Sequence, residues 1–171
     1  RNAVDLGVTD WIDGHGEPLL DHASGLRGAR FQVVFCFQDA CPGCHRSGFP
    51  KLATLIKHFG VNHSEVSFAV VHTVFEDFEH NTRERAFQNQ LRYAVPVPFG
   101  HDDGKGMGSV LMSRFRNGGT PWFLVFEDGE AIAAAFDINT AALVSHIETT
   151  LSQPRNETTM SSVDAPNWTR V

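Results

Sequence analysis

Two kinds of apolar spacing run along this chain, and they fall into separate segments. Residues 31–37 (Phe-Gln-Val-Val-Phe-Cys-Phe) form a near-continuous apolar run, the mark of a strand covered on both faces. Leu52, Leu55, Ile56 and Phe59 then recur at i, i+3, i+4 and i+7, one stripe of a helix that Gly60 stops. Residues 66–75 read as a second buried strand, and Asn81 or Thr82 can cap a helix running to about Tyr93. Residues 95–99 make a short extended piece in which Pro96 and Pro98 exclude a central ladder position along most of its length. Gly100, Gly104, Gly106 and Gly108 frame a loop, and Met107, Val110, Leu111 and Phe115 predict another amphipathic helix. A turn at 117–121 leads into a strand at 122–126. Asp128-Gly129 then makes a hairpin into 131–136. Leu143, Val144, Ile147 and Leu151 form the face of a closing helix capped by Asn139 or Thr140.

The order is therefore β-α-β-α-β-α, then a β-hairpin, then α. Strands separated by helices become parallel neighbours, and the late hairpin adds antiparallel strands to the same sheet. Residues 1–28, with Trp11-Ile12 and Leu19-Leu20 broken by glycines and Pro18, are expected to be an N-terminal extension. From Ser152 the chain turns polar and loses periodicity, which predicts a loosely attached tail over 152–171 beyond a domain at 1–151.

Length and composition change this picture little. At 171 residues, 42% apolar and 20% charged, the chain has room for one domain with a substantial core. A net charge of −6 without a dense basic stripe argues against a nucleic-acid partner. No apolar stretch approaches the roughly 18 residues needed to span a bilayer. Arg1 in place of a methionine is read as the mark of a removed tag, signal or leader. The compartment stays open, with a lean to the cytoplasm and the periplasm as the choice if a leader was removed.

Cys41-Pro42-Gly43-Cys44 lies directly behind the apolar run and ahead of the helical stripe. A C-x-x-C at a strand-to-helix junction suits thiol–disulfide exchange. Two intervening residues let both sulfurs meet across one turn, and the following helix aims its N–H groups at the first sulfur. Three other readings compete. The string continues to His45 and so spells the haem-attachment motif C-x-x-C-H, although such modules do not bury the attachment turn behind a long strand. Cys41 and Cys44 with His58 and His63 also fit zinc-finger spacing, but Gly60 interrupts the histidine pair and strands flank the stretch on both sides. A thiol pair without a role is the fourth reading, and so small a disulfide loop would stabilise little. No cofactor or metal is expected under the redox reading. The third cysteine, Cys36, is most simply a small buried hydrophobe.

Leu26-Arg27-Gly28, Cys41-Pro42-Gly43-Cys44 and Gly119-Thr120-Pro121, together with the order of elements from about residue 10 to 151, resemble the thioredoxin superfamily. The likeness is greatest to its TlpA-like and redoxin-like thiol–disulfide oxidoreductases. The Gly-Thr-Pro lies 77 residues beyond Cys44, just before the Trp122 strand. The resemblance implies a thioredoxin-like α/β fold, with a mixed central sheet flanked by helices, an inserted strand–helix unit and an N-terminal extension. It implies that Cys41 and Cys44 form the redox-active pair and that Pro121 is cis. Thr120 and Pro121 would then form a platform for an extended substrate segment. The expected partner is a disulfide- or dithiol-containing protein or a small thiol, and the chain is expected to be a monomer.

Several positions depart from the family pattern. Thioredoxins place a buried acid six residues before the first cysteine, where this chain has Phe35, and the usual aromatic before that cysteine is Ala40. TlpA-like members carry Glu and Pro where this chain has Ser47 and Phe49, with Pro50 one place late. The proton-transfer partner is therefore unassigned. Asp39, His45, His72 and Glu76 are candidates, each of which would equally suit a solvated or core-satisfied place. A peroxiredoxin-like peroxidase is the nearest enzymatic rival, but it needs a hydroxyl three residues before the reactive cysteine, and Gln38 stands there. A substrate-holding, chaperone-like module is the non-enzymatic rival.

Overall fold

The structure is a computed structural model that describes residues 2–20 and 23–154. Its strands are β1 (Asp10–Ile12), β2 (Phe31–Phe37), β3 (Val66–Thr73), β4 (Phe99–Asp102), β5 (Trp122–Glu127) and β6 (Glu130–Ala135). Its helices are α1 (Phe49–Phe59), α2 (Arg83–Arg92), α3 (Val110–Phe115) and α4 (Thr140–Ser152). The described strands form a six-stranded sheet in the order β1-β4-β3-β2-β5-β6. β2, β3 and β4 are parallel, while β5, β6 and β1 run against their neighbours.

β2 lies in the middle of this sheet, and every one of its residues is buried. Its period of two separates two cores. Phe31, Val33, Phe35 and Phe37 face Leu52 and Leu55 of α1 and Leu143 and Ile147 of α4. Val34 and Cys36 face the other way, toward Leu6, Trp11 and Leu26 of the N-terminal segment and Leu111 of α3. Gln32, also buried, ties that segment down. Its Oε1 accepts from the Val4 N–H at 2.9 Å, and its Nε2 donates to the Ala29 carbonyl at 3.1 Å.

The order of elements agrees with the sequence pattern, with several local corrections. The N-terminal extension is part of the fold: Trp11 and Ile12 lie in β1, which pairs with β4, a strand too short to show alternation in sequence. β4 begins only at Phe99, after both prolines, and so takes in Gly100, which the pattern had assigned to a loop. A Cβ at Gly100 would meet Val8 at 2.9 Å and the Trp11 ring at 3.1 Å, so glycine here admits the indole against the strand. α3 starts at Val110, leaving Met107 outside it and 89% exposed. β6 ends at Ala135, and Phe136 is half exposed against Trp122. Thr82 caps α2 and Asn139 caps α4. The hairpin is as expected, with Asp128 and Gly129 both at positive φ. The expected tail falls, beyond residue 154, outside the described residues. Among the described residues no helix is long and apolar enough to cross a membrane.

Candidate functional site: a thiol pair at a helix start

After β2 the chain makes one turn through Gln38, Asp39 and Ala40, closed by the Cys41 N–H donating to the Gln38 carbonyl at 3.0 Å. Helical backbone starts at Pro42, where a missing N–H costs nothing because the first turn has no partner for it. Cys41 therefore occupies the capping position. The Cys44 N–H lies 3.2 Å from the Cys41 sulfur, as it would from a capping hydroxyl. The helix then widens into a π-turn over Cys44–Gly48, and the Phe49 N–H reaches back to the Cys44 carbonyl. This irregularity accommodates Pro50, which can donate no bond to the preceding turn.

The two thiols differ sharply in environment. Cys41 is partly exposed, whereas Cys44 is fully buried; both are free thiols. The Cys41 thiol is pulled down to about 6, first by the hydrogen bond from Cys44 and then, against the opposing effect of burial, by Thr120 and the N–H groups of Cys44 and Gly43. Burial pushes the Cys44 thiol up, and the neighbouring Cys41 adds to the effect. Cys36 is buried on the opposite face of the sheet, and that burial pushes its thiol up as well.

The Thr120–Pro121 peptide is cis. It reaches the thiols from the far end of the chain: the Thr120 carbonyl oxygen is 3.6 Å from the Cys41 sulfur. A Cβ at Gly48 would sit 3.3 Å from the Pro121 side chain and 2.5 Å from the Phe35 ring, so the helix needs glycine to approach both. Beside this turn an open groove of about 740 Å³ is lined by Phe75, Met107, Val110, Asn117, Gly118 and Gly119, among others.

Three of the four proton-transfer candidates meet at the Cys41 turn. The Asp39 N–H donates to His72 Nε2 at 3.0 Å, and the Asp39 carbonyl accepts from His45 Nε2 at 2.7 Å. Asp39's carboxylate accepts from Asn89 and from His80, each at 2.8 Å. Partial burial works against ionisation of Asp39, but these two bonds outweigh it and hold the carboxyl below its ordinary range. His72 is fully buried and stacks near His101, with their Nδ1 atoms 3.0 Å apart. Burial, then the charge of His101, drops its pKa to about 3, so His72 is neutral. Glu76 differs: its side chain is exposed, and its backbone joins the network through Gln38 and Asn81.

Four residues that sequence reasoning did not select complete the site. Gln38 Oε1 accepts from the Phe75 and Glu76 N–H groups. Asn81, freed from capping by Thr82, accepts from the Ala40 N–H at 3.0 Å. Asn89 holds Asp39. Tyr93, the single tyrosine of the chain, bonds His45 Nδ1 through its hydroxyl. No local motif marks any of them, since each acts across more than thirty residues of sequence.

The metal-like spacings do not correspond to assembled sites. The fourteen residues from Cys44 to His58 run along helix, roughly 20 Å at its rise per residue, and His58 instead pairs with Glu148. His63 Nδ1 accepts from the Glu65 N–H. Both ring nitrogens of His45, the haem-motif histidine, are engaged by Asp39 and Tyr93. Among the described residues no three His, Cys, Asp or Glu side chains are placed to hold one metal ion.

No protein-family model matches the sequence, and no curated protein matches it. Solved structures do. A thioredoxin-like superfamily protein is 26% identical, with a TM-score of 0.70, over 87% of this chain and 95% of its own. A thiol–disulfide isomerase from Corynebacterium glutamicum is 24% identical, with a TM-score of 0.71, over 90% of this chain and 97% of its own. A secreted Mycobacterium tuberculosis disulfide oxidoreductase homologous to Escherichia coli DsbE is 16% identical, with a TM-score of 0.55, over 85% of this chain and 98% of its own. The chain belongs to the thioredoxin-like superfamily, and the solved structures that share its fold include thiol–disulfide oxidoreductases.

Proposed function

We propose that this chain is a thiol–disulfide oxidoreductase of the TlpA-like kind, working through Cys41 and Cys44. The observation that carries the reading is the asymmetry of the pair: an accessible thiol, acidified at a helix start, beside a buried thiol that resists ionisation. The Cys41 thiolate attacks one sulfur of a substrate disulfide, forming a mixed disulfide and releasing the other sulfur as a thiolate. Cys44 then attacks the Cys41 sulfur, the mixed disulfide breaks, and the substrate leaves carrying two electrons. The same steps in reverse donate a disulfide. Thr120 and Pro121 would offer backbone to an extended substrate segment beside the sulfurs, as in strand addition at a sheet edge. The groove next to Gly119, lined by apolar Phe75, Met107 and Val110 and by polar Ser113, Arg114 and Asn117, would take the side chains of that segment.

The peroxidase reading has less support, because Gln38, at the position that would need a peroxide-binding hydroxyl, has its Oε1 occupied by backbone donors. Reduction of insulin by dithiothreitol separates the readings. The expected result is a clear shortening of the lag before the insulin B chain precipitates, at protein concentrations far below that of insulin. No acceleration with insulin or with a small disulfide would leave a non-catalytic binding module, and faster consumption of hydrogen peroxide than of disulfide would favour a peroxidase.

A further inference from the structure

Asp39, on the turn that seats Cys41, is held by three imidazoles, each through its Nε2. His45 bonds the carbonyl at 2.7 Å, His80 the carboxylate at 2.8 Å, and His72 the N–H at 3.0 Å. A carbonyl and a carboxylate accept, so His45 and His80 donate, and a further proton on either ring leaves its bond to Asp39 intact. A backbone N–H only donates, so His72 Nε2 is bare. Neutral His72 then carries its proton on Nδ1, which lies 3.0 Å from His101 Nδ1. His101 accepts there and bears its own proton on Nε2, 3.7 Å from the Asp103 carboxylate. The sheet brings the two rings together, because His72 and His101 are register partners on the parallel strands β3 and β4. Phe37 of β2 and Asp10 of β1 continue the same row on either side.

We propose that His72 and His101 form a proton-operated latch on the Cys41 turn, closed while both rings are neutral and opened by one added proton. The reason is a count of hydrogens. In the neutral pair two contacts, Asp39 N to His72 Nε2 and His72 Nδ1 to His101 Nδ1, hold two hydrogens, one from the amide and one from a ring. The outer nitrogen, His101 Nε2, is already filled. A proton taken up from solvent therefore puts two hydrogens into one of the two contacts. On His101 Nδ1 it faces the His72 N–H, and His72 loses its anchor. If the His72 proton shifts to Nε2 instead, it faces the Asp39 N–H, which loses its acceptor. His72 is fully buried, so a donor left unsatisfied there is costly, and movement of the ring or the turn relieves it. Both outcomes weaken the hold on the Asp39 N–H.

The titratable and charged groups around the pair come from four segments. Asp103 follows β4, and Asp10 lies on β1 with its partner Arg83 of α2 at 2.8 Å. Asp39 follows β2, with His45 on its carbonyl and His80 and Arg85 on its carboxylate. Burial, then the charge of His101, holds His72 at about 3, so the charge of the protonated pair rests on His101. Asp103 is the carboxylate toward which that imidazolium would turn. The Cys41 turn carries the nucleophile of the oxidoreductase reading, so the latch would make exchange sensitive to acid, but its state can be read without turnover.

Nitrogen-15 spectra of the imidazoles, with hydrogen-exchange protection of the Asp39 amide, test the latch from mildly alkaline to mildly acidic solution. Cys41→Ser serves as the background because it removes the thiolate's own titration, and the Asp39 carboxyl is held below its ordinary range. Near neutrality His72 should be protonated at Nδ1 and His101 at Nε2. On acidification, protection of the Asp39 amide should fall about tenfold, the scale of one hydrogen bond, in step with protonation of the pair. His101→Asn puts an amide oxygen near the place of Nδ1 and does not titrate, so it should keep the amide protected throughout. A His72 protonated at Nε2 near neutrality would overturn the latch. So would an amide whose protection ignores the pair, or falls equally in His101→Asn. Should His101→Asn fail to fold, the ring tautomers and the amide of the Cys41→Ser protein decide alone. Failure of the wild type to exchange disulfides would remove the oxidoreductase reading and leave these outcomes unchanged.

Discussion

Cys41→Ser is expected to bring disulfide exchange down to the uncatalysed rate, while Cys44→Ser stops the reaction one step later with substrate covalently attached. Cys41 is the sulfur that reaches the surface, and it alone has its pKa lowered; a serine hydroxyl at that position is un-ionised and forms no disulfide. With Cys41 present and Cys44 replaced, the first attack proceeds, but the mixed disulfide has no internal thiol to break it. Intact-mass spectrometry after mixing with a disulfide peptide should therefore show one adduct on Cys44→Ser, none on Cys41→Ser, and only a transient one on the wild type. A stable adduct on Cys41→Ser, carried by Cys44 or Cys36, would reverse the assignment of roles.

The second large effect is in pH dependence. A thiol with an ordinary pKa near 8.5 is about 3% ionised at pH 7, whereas one at about 6 is about 90% ionised. Alkylation of Cys41 by iodoacetamide should accordingly rise through about pH 6 and level off well below neutrality plus one unit, while Cys36 and Cys44 stay unmodified in the folded protein. The same shift appears in stability. A thiol whose pKa is depressed by folding favours the folded reduced protein fully above the unfolded thiol's ordinary pKa, and that contribution is lost as pH falls through about 6. The stability difference between reduced wild type and Cys41→Ser should thus shrink on acidification. A flat alkylation profile until pH 8 would mean that Cys41 is an ordinary thiol.

Most of the architecture is legible in the sequence because its signals are strong and local. β2 and β3 are buried throughout and are mostly apolar, broken only by Gln32 in β2 and by Ser67, His72 and Thr73 in β3, and α1 and α4 carry clean helical stripes. The thiol pair and Pro121 are legible because short motifs mark them. Illegible features depend on contact between distant segments. Gly100 has the local character of a loop, and only the Trp11 indole lying against it explains a glycine within β4. Asn81 and Thr82 are equivalent as caps until the fold offers Asn81 the Ala40 N–H. Met107 fits the helical spacing of α3, but positive φ at Gly104, Gly106 and Gly108 breaks the backbone before the helix starts. Asp39, His45 and His72 could be singled out by residue type. That His45 and His72 bond the two backbone groups of Asp39, while Tyr93 completes the set, follows only from the packing of α2 and β3 beside the Cys41 turn.

The central claim is that Cys41 and Cys44 interconvert between dithiol and disulfide as one redox pair. Its most direct test is equilibration of the protein in graded glutathione or dithiothreitol redox buffers, followed by acid quench, denaturing alkylation and mass spectrometry of the cysteine peptides. The expected result is a single two-electron transition in which Cys41 and Cys44 lose their labels together, with a midpoint between roughly −270 and −120 mV and Cys36 labelled throughout. A pair that stays fully alkylated across the whole range, or that forms its disulfide with Cys36, would contradict the account.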